Sequence, residues 1–428
     1  MNQNNMLYIG GMSCEELAQQ FQTPLYVYDE NKLTDKMDAF VNLFKSNQFD
    51  CEVLYASKAF SCKAILELAH KHGMCLDVVS GGELYTAKAA NFPMERVYFH
   101  GNNKSITEIK MAFAYGIGCI VVDNIMEAYQ VAEIAKTYNK PMKTMLRVNP
   151  GVEAHTHEYI VTAHVDSKFG ISINRMDEIW EVVSTLNAVD NIEFIGFHAH
   201  IGSQIFDAQA FKAEIETMCQ FISNFEQTYG YRASALDLGG GFAAYYTSED
   251  APIPLPEVCK MILDTCTNEF KHYNLGIQKV MIEPGRSIVA EAGSSLYRVG
   301  FLKQTQSKNY LFVDGGMADN IRPALYQAKY NADIANKMNA EKDTIYTVAG
   351  KCCESGDILI KDIALPKANP NDLLVMYTTG AYGFSMASGY NRLLRPGVVF
   401  VKDGSARIAV KRETYDDLIA LDCGEIDE

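Results

Sequence analysis

Eight apolar runs of strand length recur within the first 285 residues, and they constrain the fold more than any other feature. Most of the segments between them, such as CKAILELAHKHG (62–73), carry apolar residues at helical spacing. Continuous apolar strands that alternate with helices indicate a parallel sheet covered on both faces, and eight such units predict a closed (β/α)8, or TIM, barrel of the α/β class. The runs are VLYASK (53–58), CLDVVS (75–80), VYFHG (97–101), CIVVD (119–123), TMLRVN (144–149), FIGFHAH (194–200), ALDLGGG (235–241) and VMIEPG (280–285).

The pattern changes after residue 285, where short strands bounded by turn residues follow one another with few long helices between them. Such a pattern predicts a second, mainly antiparallel β domain. The early segment PLYVYD (24–29) is a candidate strand of the same domain. We therefore expect a barrel over residues 31–285 and a β-rich domain made of residues 1–30 plus 286–428. The later strand candidates are YLFVDGG (310–316), TIYTVAG (344–350), DILIKDIAL (357–365), LLVMYTTG (373–380) and GVVFVKDG (397–404).

Charge and cysteine usage narrow the class of protein. A net charge of −15 argues against nucleic acid or an anionic membrane as a partner, because both require basic patches. The eleven cysteines include no CxxC pair, and the adjacent Cys352 and Cys353 are poorly spaced as metal ligands, so no metal site is expected. The N-terminal segment lacks the basic start and apolar core of a secretory signal. No apolar run approaches the roughly 18 residues of a membrane span. These features predict a reduced, soluble, cytoplasmic protein.

Polar or glycine residues end nearly every apolar run of the predicted barrel. Because the carboxyl ends of barrel strands meet on one face, where active sites lie, these residues together indicate a small-molecule site. For any single residue, the alternative is that a strand simply ends in solvent. The residues are Lys58, Asp77, His100, Asp123, Arg147, His200, Gly239, Gly240, Gly241 and Glu283.

Three of these features together suggest pyridoxal phosphate as a cofactor. Lys58 can form a Schiff base if its surroundings let the amine lose its proton. The glycines of LDLGGGF (236–242), with the Gly-Arg of EPGR (283–286), can present N–H groups and a guanidinium to a phosphate. A tight turn and a surface pair between Glu283 and Arg286 are the respective alternatives. Glu283 would keep the pyridine nitrogen protonated, which makes the ring a strong electron sink.

With these residues assembled, the chain resembles the diaminopimelate decarboxylases, which belong to the alanine-racemase-like class of pyridoxal phosphate enzymes. The resemblance extends from TPLYVYD (23–29) to GYNRLLRPGVV (389–399), and the joint order and spacing of its motifs make it specific. It implies a barrel plus a β domain, and decarboxylation of meso-2,6-diaminopimelate to L-lysine and CO2, the last step of lysine biosynthesis. The motifs are YASKAF (55–60), SGGEL (80–84), HGNNKS (100–105), GFHAHIGSQI (196–205), LDLGGGF (236–242), EPGRSI (283–288), VDGGMADNIRPALYQAKY (313–330), CESGD (353–357) and GAYGFSMASGYN (380–391).

The resemblance also implies roles for individual residues. Lys58 binds the cofactor covalently, and Cys353 is the proton donor. In this family, Cys353 and Glu354 come from the second subunit, which implies a homodimer with an active site shared across the interface. The implied cofactor-binding residues are Lys58, His200, Ser203, Gly240, Gly241, Glu283, Gly285, Arg286 and Tyr382. The implied substrate-binding residues are Arg286, Arg322, Tyr326, Glu354 and Tyr382.

Three other functions compete with this interpretation. A related decarboxylase of ornithine, arginine or lysine has no distal carboxylate to bind, so Arg322 favours diaminopimelate, whereas carboxynorspermidine is harder to exclude. A racemase benefits from a weaker electron sink, and Glu283 argues against it. A non-catalytic cofactor carrier has no use for a proton donor such as Cys353.

Overall fold

The computed structural model describes residues 2–3, 5–152 and 167–424. The chain divides into two units, which we call the barrel unit and the β unit. The barrel unit comprises Thr34–Ala244 and Ala251–Ser287. The β unit comprises Met1–Leu33, Tyr245–Asp250 and Ile288–Glu428. The chain therefore enters the β unit first, builds the barrel, and returns to the β unit.

The N-terminal part of the β unit consists of four short strands and one helix. Helix α1 begins at a capping box, in which Ser13 Oγ accepts a hydrogen bond from the Glu16 N–H (3.1 Å) and the Glu16 carboxylate accepts one from the Ser13 N–H (2.9 Å). Such reciprocal bonds satisfy backbone donors that the first helical turn leaves unpaired. The elements are β1 (Asn2–Gln3), β2 (Met6–Ile9), β3 (Met12–Ser13), α1 (Cys14–Phe21) and β4 (Leu25–Asp29).

Within the described residues, eight parallel strands close into a barrel, as the eight apolar runs predict. The last barrel strand pairs in parallel with the first, and a two-residue strand, β10, extends the sheet beside β9. The barrel strands are β5 (Asp50–Ala56), β6 (Cys75–Val78), β7 (Val97–Phe99), β8 (Cys119–Val122), β9 (Met142–Asn149), β11 (Ile192–His198), β12 (Ala235–Asp237) and β13 (Lys279–Ile282), and β10 is Ile171–Ser172.

Every barrel strand contributes to one buried cluster. Layers of inward-facing side chains fill a barrel of this size, so its interior is a packed core rather than a pore. The strands are therefore held in register from inside, which fixes the positions of their carboxyl ends. The cluster consists of Leu54, Cys75, Tyr98, Cys119, Val121, Met145, Ile195, Ala235 and Met281.

Helices alternate with the barrel strands, and several begin at a side-chain cap. Ser80, Ser105 and Asn124 each accept a hydrogen bond from a backbone N–H of the first turn. Among the described residues, no helix combines the length and the apolar composition needed to cross a bilayer. The helices are α2 (Glu30–Leu43), α3 (Lys63–Lys71), α4 (Gly81–Ala89), α5 (Ile106–Tyr115), α6 (Ile125–Ala135), α7 (Met176–Asn187), α8 (Ala208–Tyr229), α9 (Leu255–His272) and α10 (Arg286–Val289).

The C-terminal part of the β unit is mainly antiparallel, as predicted. Its strands follow the order β18-β17-β15-β14-β4-β20-β21, and β19, which also pairs with β16, joins at β14. The β15–β17 and β4–β20 pairs are parallel. The elements are β14 (Gly293–Gln304), β15 (Asn309–Val313), α11 (Arg322–Tyr326), β16 (Ala332–Ile334), β17 (Thr344–Ala349), β18 (Ile358–Leu365), β19 (Leu373–Met376), β20 (Gly397–Lys402), β21 (Ser405–Val410) and α12 (Tyr415–Ile419).

Strand β14 is central to this sheet, yet its sequence does not stand out. It pairs with β4, β15 and β19, but its first half is buried on both faces and its second half is largely exposed. Its sequence, GSSLYRVGFLKQ, therefore shows neither a continuous apolar run nor a regular alternation. The β4 strand, which the segment 24–29 predicts, pairs with β14 and belongs to the β unit.

One acidic side chain of the barrel unit lies entirely inside. Glu214 on α8 is fully buried, and neither of its carboxylate oxygens has a hydrogen-bond partner among the described residues. Burial, followed by the negative charge of Glu283, raises the pKa of Glu214 well above its ordinary value of 4.5. The folded chain therefore holds a proton here that the unfolded chain releases above that value.

We expect Glu214→Gln to raise the unfolding midpoint at pH 8 relative to the wild type, and the gain to shrink toward pH 5. Because the folded-state pKa is raised from 4.5, the wild-type free energy of unfolding falls as pH rises above that value. The loss is at most about 1.4 kcal/mol per pH unit. Urea unfolding followed by circular dichroism at several pH values measures it. The exposed Glu216 on the same helix supplies the control, Glu216→Gln, and a pH-independent difference for Glu214→Gln would contradict the expectation.

Candidate active site

Four polar side chains meet where the barrel strands end. The Glu283 carboxylate, directly after β13, lies at their centre. Its Oε1 atom is 3.0 Å from His100 Nε2, and its Oε2 atom is 3.5 Å from His198 Nε2. The same His100 Nε2 atom is also 3.9 Å from Asp77 Oδ1. All four side chains are buried, so the cluster lies in surroundings of low dielectric constant.

Lys58 adjoins this cluster at the end of β5. Its Nζ atom is 4.0 Å from Asp77 Oδ2, and its side chain keeps 39% of its surface exposed, whereas that of Asp77 keeps 1%. The structure therefore explains why a lysine follows the buried apolar strand β5. Lys58 faces a buried carboxylate and is still accessible from solvent, which is what a group that reacts with a small molecule requires.

The charge on Glu283 depends on its histidine neighbours. Burial alone would raise the pKa of this carboxyl, but His100 and then His198 outweigh burial, and the pKa lies well below its ordinary value. In contrast, burial and the charge of Glu283 raise the pKa of the adjacent Asp237 well above its usual range. Two close carboxyl groups in low dielectric cannot both ionise easily, so Asp237 holds a proton more tightly than Glu283 does.

His200 is held in one orientation by the glycine segment beside it. Its Nδ1 atom accepts a hydrogen bond from the Gly240 N–H at 3.1 Å. Loss of hydration, followed by the positive charges of Lys58 and Arg147, lowers the pKa of His200 well below its ordinary value. The ring is therefore neutral, with its proton on Nε2, and it presents a fixed flat face.

The glycines at the strand ends are required by close approach of the chain to itself. A Cβ atom on Gly240 would lie 2.4 Å from the Glu283 carbonyl oxygen, and one on Gly285 would lie 2.9 Å from Ala56 Cβ. The Gly240 N–H is already engaged by His200. The tight-turn alternative for this motif therefore accounts for Gly240, whose absence of a side chain lets Glu283 and His200 take their positions.

Ser203 and Arg286 are in direct contact beside the cluster. The Arg286 Nε and Nη2 groups donate to Ser203 Oγ at 3.1 and 3.0 Å. Arg286 and Glu283 are both buried, so the alternative of a surface ion pair between them does not apply. A buried guanidinium that touches a neutral hydroxyl is suited to bind an anion such as a phosphate.

In the β unit, Arg322 is a second buried guanidinium. Its Nη1 group donates to Tyr330 Oη at 2.7 Å and to Tyr246 Oη at 3.3 Å, and both rings lie within 6 Å of its charge. Within the described part of the chain, no carboxylate lies within ion-pair distance of Arg322, because its neighbours are phenols. A buried cation with neutral partners favours the binding of an anionic group.

Cys353 and Glu354 are exposed in a turn between β17 and β18. Asp357, which is buried, holds the base of this turn by accepting hydrogen bonds from the Cys352 N–H (2.8 Å) and the Met317 N–H (2.7 Å). Burial raises the pKa of Cys352 to about 11, so the second thiol of the pair stays protonated and shielded. Of the two cysteines, Cys353 is the one that solvent can reach.

The two remaining candidates also lie in the β unit. Tyr326 ends α11 and is half-buried. Tyr382 is half-buried and has φ of 60°, in the left-handed region that bulky residues rarely adopt. Backbone strain of this kind concentrates at functional sites.

Several members of these clusters are not among the site residues that the sequence predicts. The sequence marks His100 and Asp77 as polar strand ends, whereas His198 and Asp237 are not among its candidates. A usable signal exists for His198, because residues two apart on a strand face the same side and His200 was already a candidate. Tyr246 and Tyr330 lie 76 and 8 residues from Arg322, and no local pattern connects the first of them with it.

Comparisons with known proteins identify the family. A family model described as the pyridoxal binding domain of pyridoxal-dependent decarboxylases matches residues 30–290. The diaminopimelate decarboxylase of Bacillus subtilis is 47% identical over 98% of this chain and 96% of its own length. The chain belongs to the diaminopimelate decarboxylase family. The structure of the diaminopimelate decarboxylase from M. jannaschii, also solved with L-lysine, agrees, with a TM-score of 0.92, 32% identity, and coverage of 99% of this chain and 98% of that one.

The barrel unit of this diaminopimelate decarboxylase family member fits the cofactor that its family name implies. Glu283 Oε1 is buried and, although His100 Nε2 lies 3.0 Å away, it forms no hydrogen bond with any described residue. A buried carboxylate of this kind is a suitable partner for a protonated pyridine nitrogen. Lys58 supplies an accessible amine, and Arg286 supplies a cation for a phosphate.

We expect Gly240→Ala to destabilise this family member by about 1–3 kcal/mol and to weaken cofactor retention, because the new methyl group would overlap the Glu283 carbonyl oxygen. Thermal unfolding and the absorbance of bound cofactor measure the two effects. Gly389→Ala is the control, since a Cβ atom there has no heavy atom within 4 Å among the described residues. Equal stability of the two variants would show that strand ends can separate at no cost.

Proposed function

We propose that this chain catalyses the pyridoxal phosphate-dependent decarboxylation of meso-2,6-diaminopimelate to L-lysine and CO2, the last step of lysine biosynthesis, in the cytoplasm. The 47% identity to a diaminopimelate decarboxylase over nearly the whole chain carries this proposal. A solved relative at 32% identity that binds L-lysine supports the identity of the product. Both observations favour diaminopimelate over carboxynorspermidine or another basic amino acid.

Residues of the barrel unit would hold the cofactor and set the charge of its ring. When bound, pyridoxal phosphate withdraws the electrons left at Cα after CO2 departs. Lys58 would hold the cofactor covalently, and Asp77 Oδ2, 4.0 Å from its Nζ atom, would stabilise a positive charge on the amine. Glu283, whose pKa is lowered, would keep a proton on the pyridine nitrogen and so strengthen the withdrawal. The neutral His200 ring would present its flat face to the cofactor.

The phosphate is held by groups around Arg286. Ser203, which contacts Arg286, contributes its hydroxyl, and Gly241 and Gly285 contribute backbone at the strand ends. Gly240 acts differently, because its N–H is bound to His200. Gly240 holds the His200 ring in its orientation. The glycine segment next to the phosphate would therefore also orient this ring.

The β-rich domain, residues 1–30 plus 286–428, supplies the residues that recognise the substrate. Arg322 binds the distal carboxylate, and Tyr246 and Tyr330 hold its guanidinium without neutralising it. Glu354 binds the distal ammonium group. Tyr326, Tyr382 and Arg286 complete the substrate-binding set, and Tyr382 also reaches the cofactor. A substrate without a distal carboxylate would leave the buried Arg322 charge unpaired, which disfavours its binding.

Cys353 donates the proton to Cα, and we propose that it acts on the cofactor of a second subunit. Its exposure on a turn is consistent with a group that functions in a homodimer. A thiol is a suitable acid for a carbanion. Glu354, the next residue, would reach the same site of the partner.

The test of function is to incubate the purified protein with pyridoxal phosphate and a panel of amino acids, and to measure CO2 release and product identity. We expect turnover of meso-diaminopimelate to L-lysine, and Lys58→Ala should lose both turnover and the visible absorbance of covalently bound cofactor. Diaminopimelate isomers, lysine, ornithine, arginine and carboxynorspermidine form the panel. Release of CO2 from carboxynorspermidine alone would overturn the substrate assignment.

We expect Cys353→Ala to lower kcat by about 100-fold or more, because the carbanion loses its acid. Cofactor absorbance should be unchanged, since the residue does not bind the ring. Cys352→Ala, which removes the buried neighbour, and Cys423→Ala, which removes another exposed thiol, are the controls. A wild-type rate for Cys353→Ala would remove this residue from the mechanism.

Mixing two variants tests the shared site. If Cys353 serves the partner, co-refolded Lys58→Ala and Cys353→Ala chains form mixed dimers with one intact site, and activity should recover to about a quarter of the wild-type value. If each chain forms its own site, the mixture stays as inactive as its components, and the proposal of a shared site fails.

A further inference from the structure

Glu283 is surrounded by titratable groups from every strand packed near it. Asp77 on β6, His100 after β7, Arg147 on β9, and His198 and Asp237 on β11 and β12 all interact electrostatically with it, as does His200 after β11. Lys58 after β5 faces Asp77. Glu214 on α8 adds a further buried carboxyl group. Two of these groups, His100 and His198, lie within 3.5 Å of the carboxylate oxygens.

We propose that His100 and His198 are positioning residues that keep Glu283 ionised and aimed, so that the proton it shares with the cofactor stays on the ring nitrogen. This inference rests on the proposed function. Two imidazoles would thus set the strength of the electron sink through their contact with one carboxylate. Neither imidazole would touch the reacting carbon or the phosphate.

The need for such residues follows from the charges nearby. Asp77 and Asp237 are both at most 1% exposed, and each would repel a negative charge on Glu283 in low dielectric. Burial acts in the same direction. Without opposing groups, Glu283 would take up a proton, as Asp237 and Glu214 do. A protonated Glu283 could donate a hydrogen bond but could no longer hold a proton on the ring nitrogen.

The two imidazoles also hold each other in place. Their rings meet edge to face, with centroids 4.8 Å apart and planes at 72°. His198 is 1% exposed, and burial lowers its pKa to about 4, so at neutral pH it acts as an uncharged ring whose Nε2 lies toward Glu283. Removing either ring therefore frees the other to turn away from the carboxylate.

The same three side chains could instead be ligands of a metal ion. One ligand atom from each of His100, His198 and Glu283 lies within 4.8 Å of the others. Occupation of Glu283 by a divalent cation would prevent it from pairing with a pyridine nitrogen. The positioning role is favoured because it is the one consistent with the proposed function, in which Glu283 pairs with the pyridine nitrogen.

The decisive experiment labels the ring nitrogen. Holoenzyme is prepared with pyridoxal phosphate carrying 15N at the pyridine position, and the 15N chemical shift is recorded from pH 6 to 9 for the wild type and for His100→Leu, His198→Leu, His100→Gln and His198→Gln. Glutamine retains an N–H near the Nε2 position, whereas leucine does not. The exposed His272 supplies the control, His272→Leu.

We expect a protonated ring nitrogen over the whole range in the wild type, the control and the glutamine variants. The leucine variants should show the neutral-nitrogen shift over part or all of the range, with kcat lowered about 100-fold and KM changed less. A protonated nitrogen in both leucine variants would overturn the proposal, as would a stoichiometric transition metal in the purified holoenzyme.

The nitrogen signal separates this inference from the proposed function. If no tested amino acid is decarboxylated but the leucine variants lose the ring proton, the substrate assignment fails and the positioning role stands. If diaminopimelate is decarboxylated and all variants keep the proton, the reverse holds. Should the leucine variants not fold, His100→Phe and His198→Phe, which keep a flat ring but no N–H, replace them, and loss of the ring proton in these variants supports the proposal whereas its retention counts against it.

Discussion

The retention of one negative charge inside the barrel is the constraint on which the rest of the site depends. Glu283 is buried beside two other carboxyl groups, and burial and repulsion both favour its neutral form. Two histidines at 3.0 and 3.5 Å oppose that preference, and the pKa of Glu283 is lowered whereas the pKa of Asp237 is raised. A charge held in this way cannot relax by hydration, so it acts strongly on whatever cationic group comes near it. The electron-withdrawing strength of a cofactor ring in this position is therefore set by the protein and only indirectly by the cofactor.

The backbone at the strand ends is shaped to allow this arrangement. Gly240 lies against the Glu283 carbonyl with no room for a methyl group, and its N–H fixes the His200 ring. A short glycine segment thus has two roles, because it lets the buried acid take its position and it orients a flat neutral ring. A barrel packed from all eight strands gives these groups a rigid base, because the carboxyl end of each strand is fixed by the cluster below it.

The β unit also contains a buried charge, but this charge is positive. Arg322 is buried and bound by two phenols, which satisfy its donors but leave its charge uncompensated by a carboxylate among the described residues. A buried ion held by neutral partners is costly until a counter-ion binds, so such a site discriminates strongly against ligands that lack the matching group. In the proposed reaction, this explains how an enzyme that shares its fold with other amino-acid decarboxylases would require a second carboxylate on its substrate.

The sequence by itself determined the barrel, the mainly antiparallel second unit and the family. Eight apolar runs that alternate with helical segments leave few alternatives to a closed parallel sheet, because each strand must be covered on both faces. It also located Lys58, Glu283 and Arg286, because charged residues that follow an apolar strand can be recognised from the local sequence. Only the tertiary structure decided the pairing of Glu283 with His100 and His198, the contact of Tyr246 with Arg322, and the central place of β14. These depend on which residues from distant segments approach within a few ångströms, and the free energy of a buried charge is decided at that distance rather than along the chain.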